Sequence, residues 1–135
     1  MKGKIIFSSV LLLTSCHLND TRPENHRAKV SVLGESVCIT LTDSKNEALS
    51  QLSINEIGHV QNRVDKIFFR QKMPVLHANE CLPSIGFNFE AGKSYVYSAN
   101  TLRIGEGQSR KNGNSYSVTF SVWTDEGRLQ VKDIN

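Results

Sequence analysis

From Ala28 onward, apolar and polar positions alternate with a period of two, the spacing of a half-buried β-strand. Ala28, Val30 and Val32 alternate with Lys29 and Ser31, and Val37, Ile39 and Leu41 follow Gly34-Glu35. That predicts a hairpin with a short glycine turn. Residues 42–48 predict a loop, and LSQLSINEIG predicts a strand over Leu52–Ile57. KIFFRQK predicts a short strand with Ile67 and Phe69 on one face. Residues 71–83 hold Pro74 and Pro83 and predict an irregular or edge-like segment. SIGFNF puts Ile85, Phe87 and Phe89 on one face, and SYVYSANTL continues after a turn. Residues 103–114 predict a long polar loop with three glycines. The clearest strand follows, with Tyr116, Val118, Phe120 and Val122 alternating with Ser117, Thr119 and Ser121, and RLQVKDI closes the chain. The competing pattern is the helical spacing of Leu49, Leu52, Ile57, Val60 and Val64, which leaves a short helix near 57–65 as the alternative there.

About seven or eight short strands, separated by turn residues, predict an all-β, antiparallel β-sandwich, immunoglobulin-like or related. FNFEAGKSYVY resembles the tyrosine corner of such sandwiches, in which a tyrosine hydroxyl bonds backbone upstream. Tyr95 or Tyr97 would be that tyrosine, against the alternative of tyrosines that merely sit on a strand.

Before residue 28 the pattern changes. Lys2 and Lys4 precede an apolar run of about nine residues, Ile5 to Leu13, and Thr14 and Ser15 lead into Cys16. The run is far short of the ~20 residues of a spanning helix. A basic start, a short apolar stretch and small residues describe a secretory signal peptide. Leu13-Thr14-Ser15-Cys16 further resembles the bacterial lipobox, in which the cysteine is lipidated and becomes the mature N-terminus. An ordinary signal peptide with a chance cysteine is the alternative. The expected organisation is therefore a leader over 1–15, a lipidated Cys16 with a polar tether over 16–27, and a β-sandwich over 28–135. The eleven tether residues after Cys16 reach ~18 Å. His17 follows Cys16, where enterobacterial lipoproteins kept at the inner membrane typically carry aspartate, so the expected location is the periplasmic side of the outer membrane.

The mature chain of 120 residues suits one domain. Without Lys2 and Lys4 it carries 14 basic against 13 acidic residues, and it has no basic run for nucleic acid. With Cys16 taken by lipid, Cys38 and Cys81 allow one pairing, and an oxidising periplasm makes a disulfide the default. Two buried free thiols are the alternative. A redox pair is less favoured, because no Cys-x-x-Cys occurs.

No pattern of catalysis stands out. His17, His26, His59 and His77 lack zinc-ligand spacing, no Gly-x-Ser-x-Gly elbow occurs, and Gly105-Glu106-Gly107 lacks the context of a phosphate loop. Glu56, Asp65, Glu80 and Glu90 read as solvated strand edges. No metal, cofactor or small-molecule substrate is expected. Arg63, Lys66, Arg70 and Lys72 form one loose basic group, and Arg103, Arg110 and Lys111 another. Either is a solvated face or a docking surface for an acidic partner. Trp123 is a second-face core residue or an exposed anchor.

Four features carry a family resemblance: the Leu13–Cys16 lipobox, AKVSVLGESVCITL, NECLPSIGFNFEAGKSYVY, and the ending VTFSV…GRLQV. Together they resemble the enterobacterial lipoproteins described as type VI secretion immunity periplasmic lipoproteins. The resemblance also supports the Cys38–Cys81 pairing. It implies a non-catalytic protein that binds and neutralises a toxin delivered into the periplasm. A structural or assembly lipoprotein of the envelope or a secretion machine is the alternative. The expected contact residues are Arg63, Lys66, Arg103, Arg110 and Lys111, in or beside polar loops at 58–66 and 103–114.

Overall fold

The computed structural model describes residues 25–42, 44, 46–104 and 111–134. Cys16, the leader, the tether as far as Glu24, and Arg110 lie outside the described residues.

Eight strands account for most of the described chain: β1 (Asn25–Arg27), β2 (Lys29–Leu33), β3 (Ser36–Thr40), β4 (Glu47–Glu56), β5 (His59–Ile67), β6 (Lys93–Arg103), β7 (Lys111–Asp125) and β8 (Arg128–Asp133). The protein is all-β, as the alternation predicts. A six-strand sheet runs β1-β7-β6-β4-β5, with β8 also on β7, and β2 and β3 form a separate hairpin. The strands thus divide six and two, and the β1–β7 pairing is parallel while the others are antiparallel.

The period of two sets the core. Residues paired across antiparallel strands share a face, and one face of the sheet is apolar row by row. Ile54, Tyr97 and Val118 make one row, and Leu52, Ala99 and Tyr116 the next. All six are buried. The hairpin and the segment after Leu76 cover this face, contributing Ala28, Ile39, Leu41 and Leu76, with Phe87 and Phe89 packed alongside. Each fully buried aliphatic or aromatic side chain contributes ~1.5–3 kcal/mol. The opposite face carries Ser53, Ser98 and Ser117 in one row, small polar residues suited to water.

Three devices fasten the covering layer. Asn79 N–H donates to Leu41 O at 3.0 Å and Leu82 N–H to Ile39 O at 2.7 Å, so the 79–82 segment runs along β3. Cys38 and Cys81 are disulfide-bonded, with Cα atoms 5.1 Å apart. The sequence expects one corner tyrosine, Tyr95 or Tyr97, and both bond backbone upstream: Tyr97 OH donates to Pro83 O at 2.7 Å, and Tyr95 OH accepts from Glu90 N–H at 2.8 Å. Burial also pushes the Tyr97 phenol up, so it stays a donor.

Several boundaries differ from the sequence expectation. Residues 57–65 form no helix: Gly58 turns the chain at φ 85° and β5 pairs back along β4. The apparent helical face does not exist, because Val60 is 87% exposed. The expected loop at 58–66 is accordingly strand β5. The loop at 42–48 ends earlier, since β4 starts at Glu47. The expected strand through KIFFRQK stops at Ile67, and Arg70–Lys72 is a 3-10 turn. SIGFNF is not a strand, because Ile85 and Gly86 take positive φ of 45° and 73°. Its two phenylalanines still pack edge-on against Tyr95. The polar loop expected up to residue 114 gives way to β7 at Lys111. Gly113 faces Thr101 so closely that a Cβ there would collide with it.

Candidate partner-binding surface

β5 is the terminal strand of the sheet, and the ladder fixes which of its backbone groups are free. Phe68 N–H donates to Ser50 O at 2.9 Å, and Ile57 N–H to Ser94 O at 2.8 Å. In an antiparallel pair, hydrogen-bonded positions alternate. Lys66 and Val64 therefore bond β4, while Arg63, Asp65 and Ile67 turn their N–H and C=O groups outward. Such an edge is a template for a further strand. Beyond Asn55 the register shifts, so the regular edge spans 63–67.

The side chains here are charged and apolar together. Arg63 Nε and Nη2 donate to Asp65 Oδ2 and Oδ1 at 2.7 and 3.0 Å. The Arg63 hydrogen bonds, helped by one from Ser53, hold the Asp65 carboxyl below its ordinary value, and the same pairing raises Arg63. Both are solvent-exposed, so the pair is screened and contributes little to stability. Lys66 points to the core side of the sheet, with Nζ 6.0 Å from the Phe68 ring centroid. Ile67 is 63% exposed.

The four expected contact residues among the described ones, Arg63, Lys66, Arg103 and Lys111, do not form one patch. Arg63 lies opposite Asn55, which pairs with Val96, whereas Arg103 ends the same strand seven residues on. Seven residues of strand are ~23 Å. Lys111 starts β7 in register with Arg103. Arg63 and Lys66 thus belong to the β5 edge, and Arg103 and Lys111 to the end of the sheet. The sequence expectation missed the exposed Val60 and Phe69, at 87% and 78%. Their apolar character argued for burial, and only the turn at Gly58 and the stop after Ile67 leave them outside.

Two polar clusters flank this edge, one at each end of β4. Glu47 is buried; its Oε2 accepts from Tyr116 OH at 2.6 Å and its Oε1 from Asn114 Nδ2 at 2.6 Å. Asn114 N–H also donates to Thr101 Oγ1 at 2.8 Å. Glu56, equally buried, meets Lys93 Nζ at 3.1 Å, His59 Nε2 at 3.5 Å and Asn62 Nδ2 at 3.4 Å. Glu56 is thus no solvated strand edge, contrary to the sequence reading. Trp123 is 38% exposed on the polar face, opposite the buried row.

The fold and its cross-link define a small, disulfide-closed, sandwich-like β domain with a mixed-character edge at β5. The sequence profile of a domain of unknown function, DUF7480, matches residues 25–125, and the chain belongs to that family. No curated protein and no solved structure matches it.

Proposed function

We propose that the mature chain is a lipid-anchored lipoprotein, periplasm-facing and at the outer membrane, that binds and neutralises a toxin delivered by type VI secretion. The observation that carries a binding role is the β5 edge, where Arg63, Asp65 and Ile67 present unpaired backbone groups beside exposed charged and apolar side chains. Strand addition would supply affinity through main-chain hydrogen bonds, and flanking side chains would supply selectivity. The basic members, Arg63 and Lys66, would draw an acidic partner surface and speed encounter. The Leu13–Cys16 motif supports the anchor, the Cys38–Cys81 disulfide accords with an oxidising compartment, and the family resemblance supplies the class of partner. On this reading the protein acts by occupancy and needs no cofactor.

The test is to express the product of the neighbouring gene in the periplasm with and without this protein. Growth rescue that needs export, survives Cys16→Ser behind a generic signal peptide, and is lost with Asp65→Pro is the expected result. Proline at 65 removes an outward N–H without breaking a bond to β4. Absence of rescue and of co-purification with any neighbouring gene's product contradicts the immunity role and favours an assembly lipoprotein. Rescue unaffected at position 65 moves the contact away from β5.

A further inference from the structure

We infer that the end of the sheet where the chain enters β1 is a membrane-contact surface. Phe69 would sit at the lipid interface, and Arg70 and Lys72 would meet anionic phospholipid headgroups. The inference rests on the anchored reading above.

The first observation is direction. β1 runs parallel to β7, with Asn25 beside Ser115 and Arg27 beside Ser117. The chain therefore arrives at Asn25 from the side of the sheet where β7 begins at Lys111 and β6 ends at Arg103. Cys16 stands nine residues before Asn25 in the sequence, a reach of ~17 Å. A lipid on Cys16 keeps this side of the domain nearest the bilayer.

The second observation is what stands there. Asn25, Ser115, Asn100, Gln51 and Ile67 form one row across the sheet. Phe69 lies two residues beyond that row, toward the same end. It is 78% exposed, an unusual position for a phenylalanine, and it leads into the Arg70–Lys72 turn, where no residue is buried. Val75, bridged to Ala48, and Ile104, bonded to Asn46, are 55% and 49% exposed at this end. Arg103 is exposed beside them. The carboxylate of Glu47, at the same end, is buried against Tyr116 and Asn114, so it is not presented at the surface beside these cations.

Exposed aromatic and aliphatic groups interleaved with cations are the composition of interfacial membrane contacts. Each Lys or Arg held near an anionic leaflet adds to the attraction, which falls off within a Debye length. Several acyl chains on one cysteine already hold the protein at the bilayer, so this weaker contact chiefly fixes the orientation of the domain. The hairpin turn at Gly34 and the turn at Gly127 then face away from the membrane, and the β5 edge is open to partners from the side.

The protein contains an internal control. Trp123 is its single tryptophan, eight residues along β7 from Ser115, ~26 Å toward the other end. The full lipidated protein is reconstituted into phosphatidylethanolamine/phosphatidylglycerol vesicles with brominated acyl chains. Flotation reports the anchor, and indole quenching reports the orientation. Phe69→Trp with Trp123→Phe should lose roughly half its emission to bromine, as a ring about 5–10 Å into the headgroup–acyl boundary does. Wild-type Trp123 should lose little. Adding Arg70→Glu and Lys72→Glu should reduce the quenching severalfold. Protein that floats with no more quenching from position 69 than from 123 overturns the inference alone. A blue-shifted but unquenched indole at 69 also overturns it, by showing a protein contact there, whether a second copy or a partner. Quenching that ignores the charge reversals removes the headgroup role. Protein that fails to float overturns the anchor, and this inference with it.

Discussion

Glu47 and Glu56 are the first and last residues of one strand, β4, and both carboxylates are buried. Their surroundings are opposite in kind. Glu47 is held by neutral donors, the Tyr116 hydroxyl and the Asn114 amide, each at 2.6 Å. Glu56 is held by cations, with Lys93 also reaching Glu90 at 2.7 Å. Burial by itself pushes the Glu56 carboxyl up. Hydrogen bonds from Lys93 and Asn62, with the charges of Lys93 and His59, outweigh it and hold the group below 4.5. The same residue type at two ends of one strand is thus satisfied by geometry in one case and by charge in the other. Buried hydrogen bonds from neutral donors depend on fixed positions and are little affected by salt, whereas the Lys93 cluster, with its half-exposed ammonium, is open to screening.

The largest expected effect lies outside both clusters and serves as their reference. Reducing Cys38–Cys81 frees a closed loop of 43 residues and should cost about 4 kcal/mol by the chain-entropy account. The bond ties the covering hairpin layer and neither glutamate cluster, so the loss should be the same in wild type and in the variants below. A urea titration with and without reductant measures it, and unequal losses would mean that the layer and the clusters are coupled.

Tyr116→Phe comes next. It leaves a buried oxygen of Glu47 without its donor and should cost about 2 kcal/mol. The urea midpoint should fall equally at low and high salt. A loss that disappears in high salt would erase the distinction between the two ends of β4.

Lys93→Met should have the smaller effect, and one that depends on pH. Glu56 is held below 4.5, so its contribution is present above that value and is lost as pH falls through its lower folded value. Unfolding midpoints of wild type and Lys93→Met should therefore converge below pH 4.5 and separate at neutral pH. Salt should narrow the neutral-pH gap. Parallel pH profiles would show that Lys93 acts through packing alone.

Much of this architecture was legible in the chain because a period of two survives reading without coordinates. Tyr116, Val118, Phe120 and Val122 are buried as their alternation requires, and both corner tyrosines bond upstream backbone. What escaped was set by turns and by long-range contacts. Glu47 sits in the polar stretch TDSKNEA, which reads as loop; its burial depends on Tyr116, 69 residues away. Glu56 reads as a solvated edge, since nothing local announces Lys93 across the ladder. Val60 and Phe69 look like core residues and are exposed, because Gly58 and the 3-10 turn place them beyond the covered face. The expected contact residues show the same limit. Arg63 and Lys66 share a strand, but register alone decides that Arg103 lies at the far end.

The functional reading stands on Cys16 as the mature N-terminus of an envelope protein, and intact-mass spectrometry of the envelope-bound protein measures that directly. The predicted mass is that of the chain from Cys16 to Asn135, with its Cys38–Cys81 disulfide intact, plus a diacylglyceryl group on the Cys16 sulfur and an acyl group on its amine. A chain that retains Met1, or one that is cleaved but carries an unmodified Cys16, would contradict the anchor and with it the proposed role.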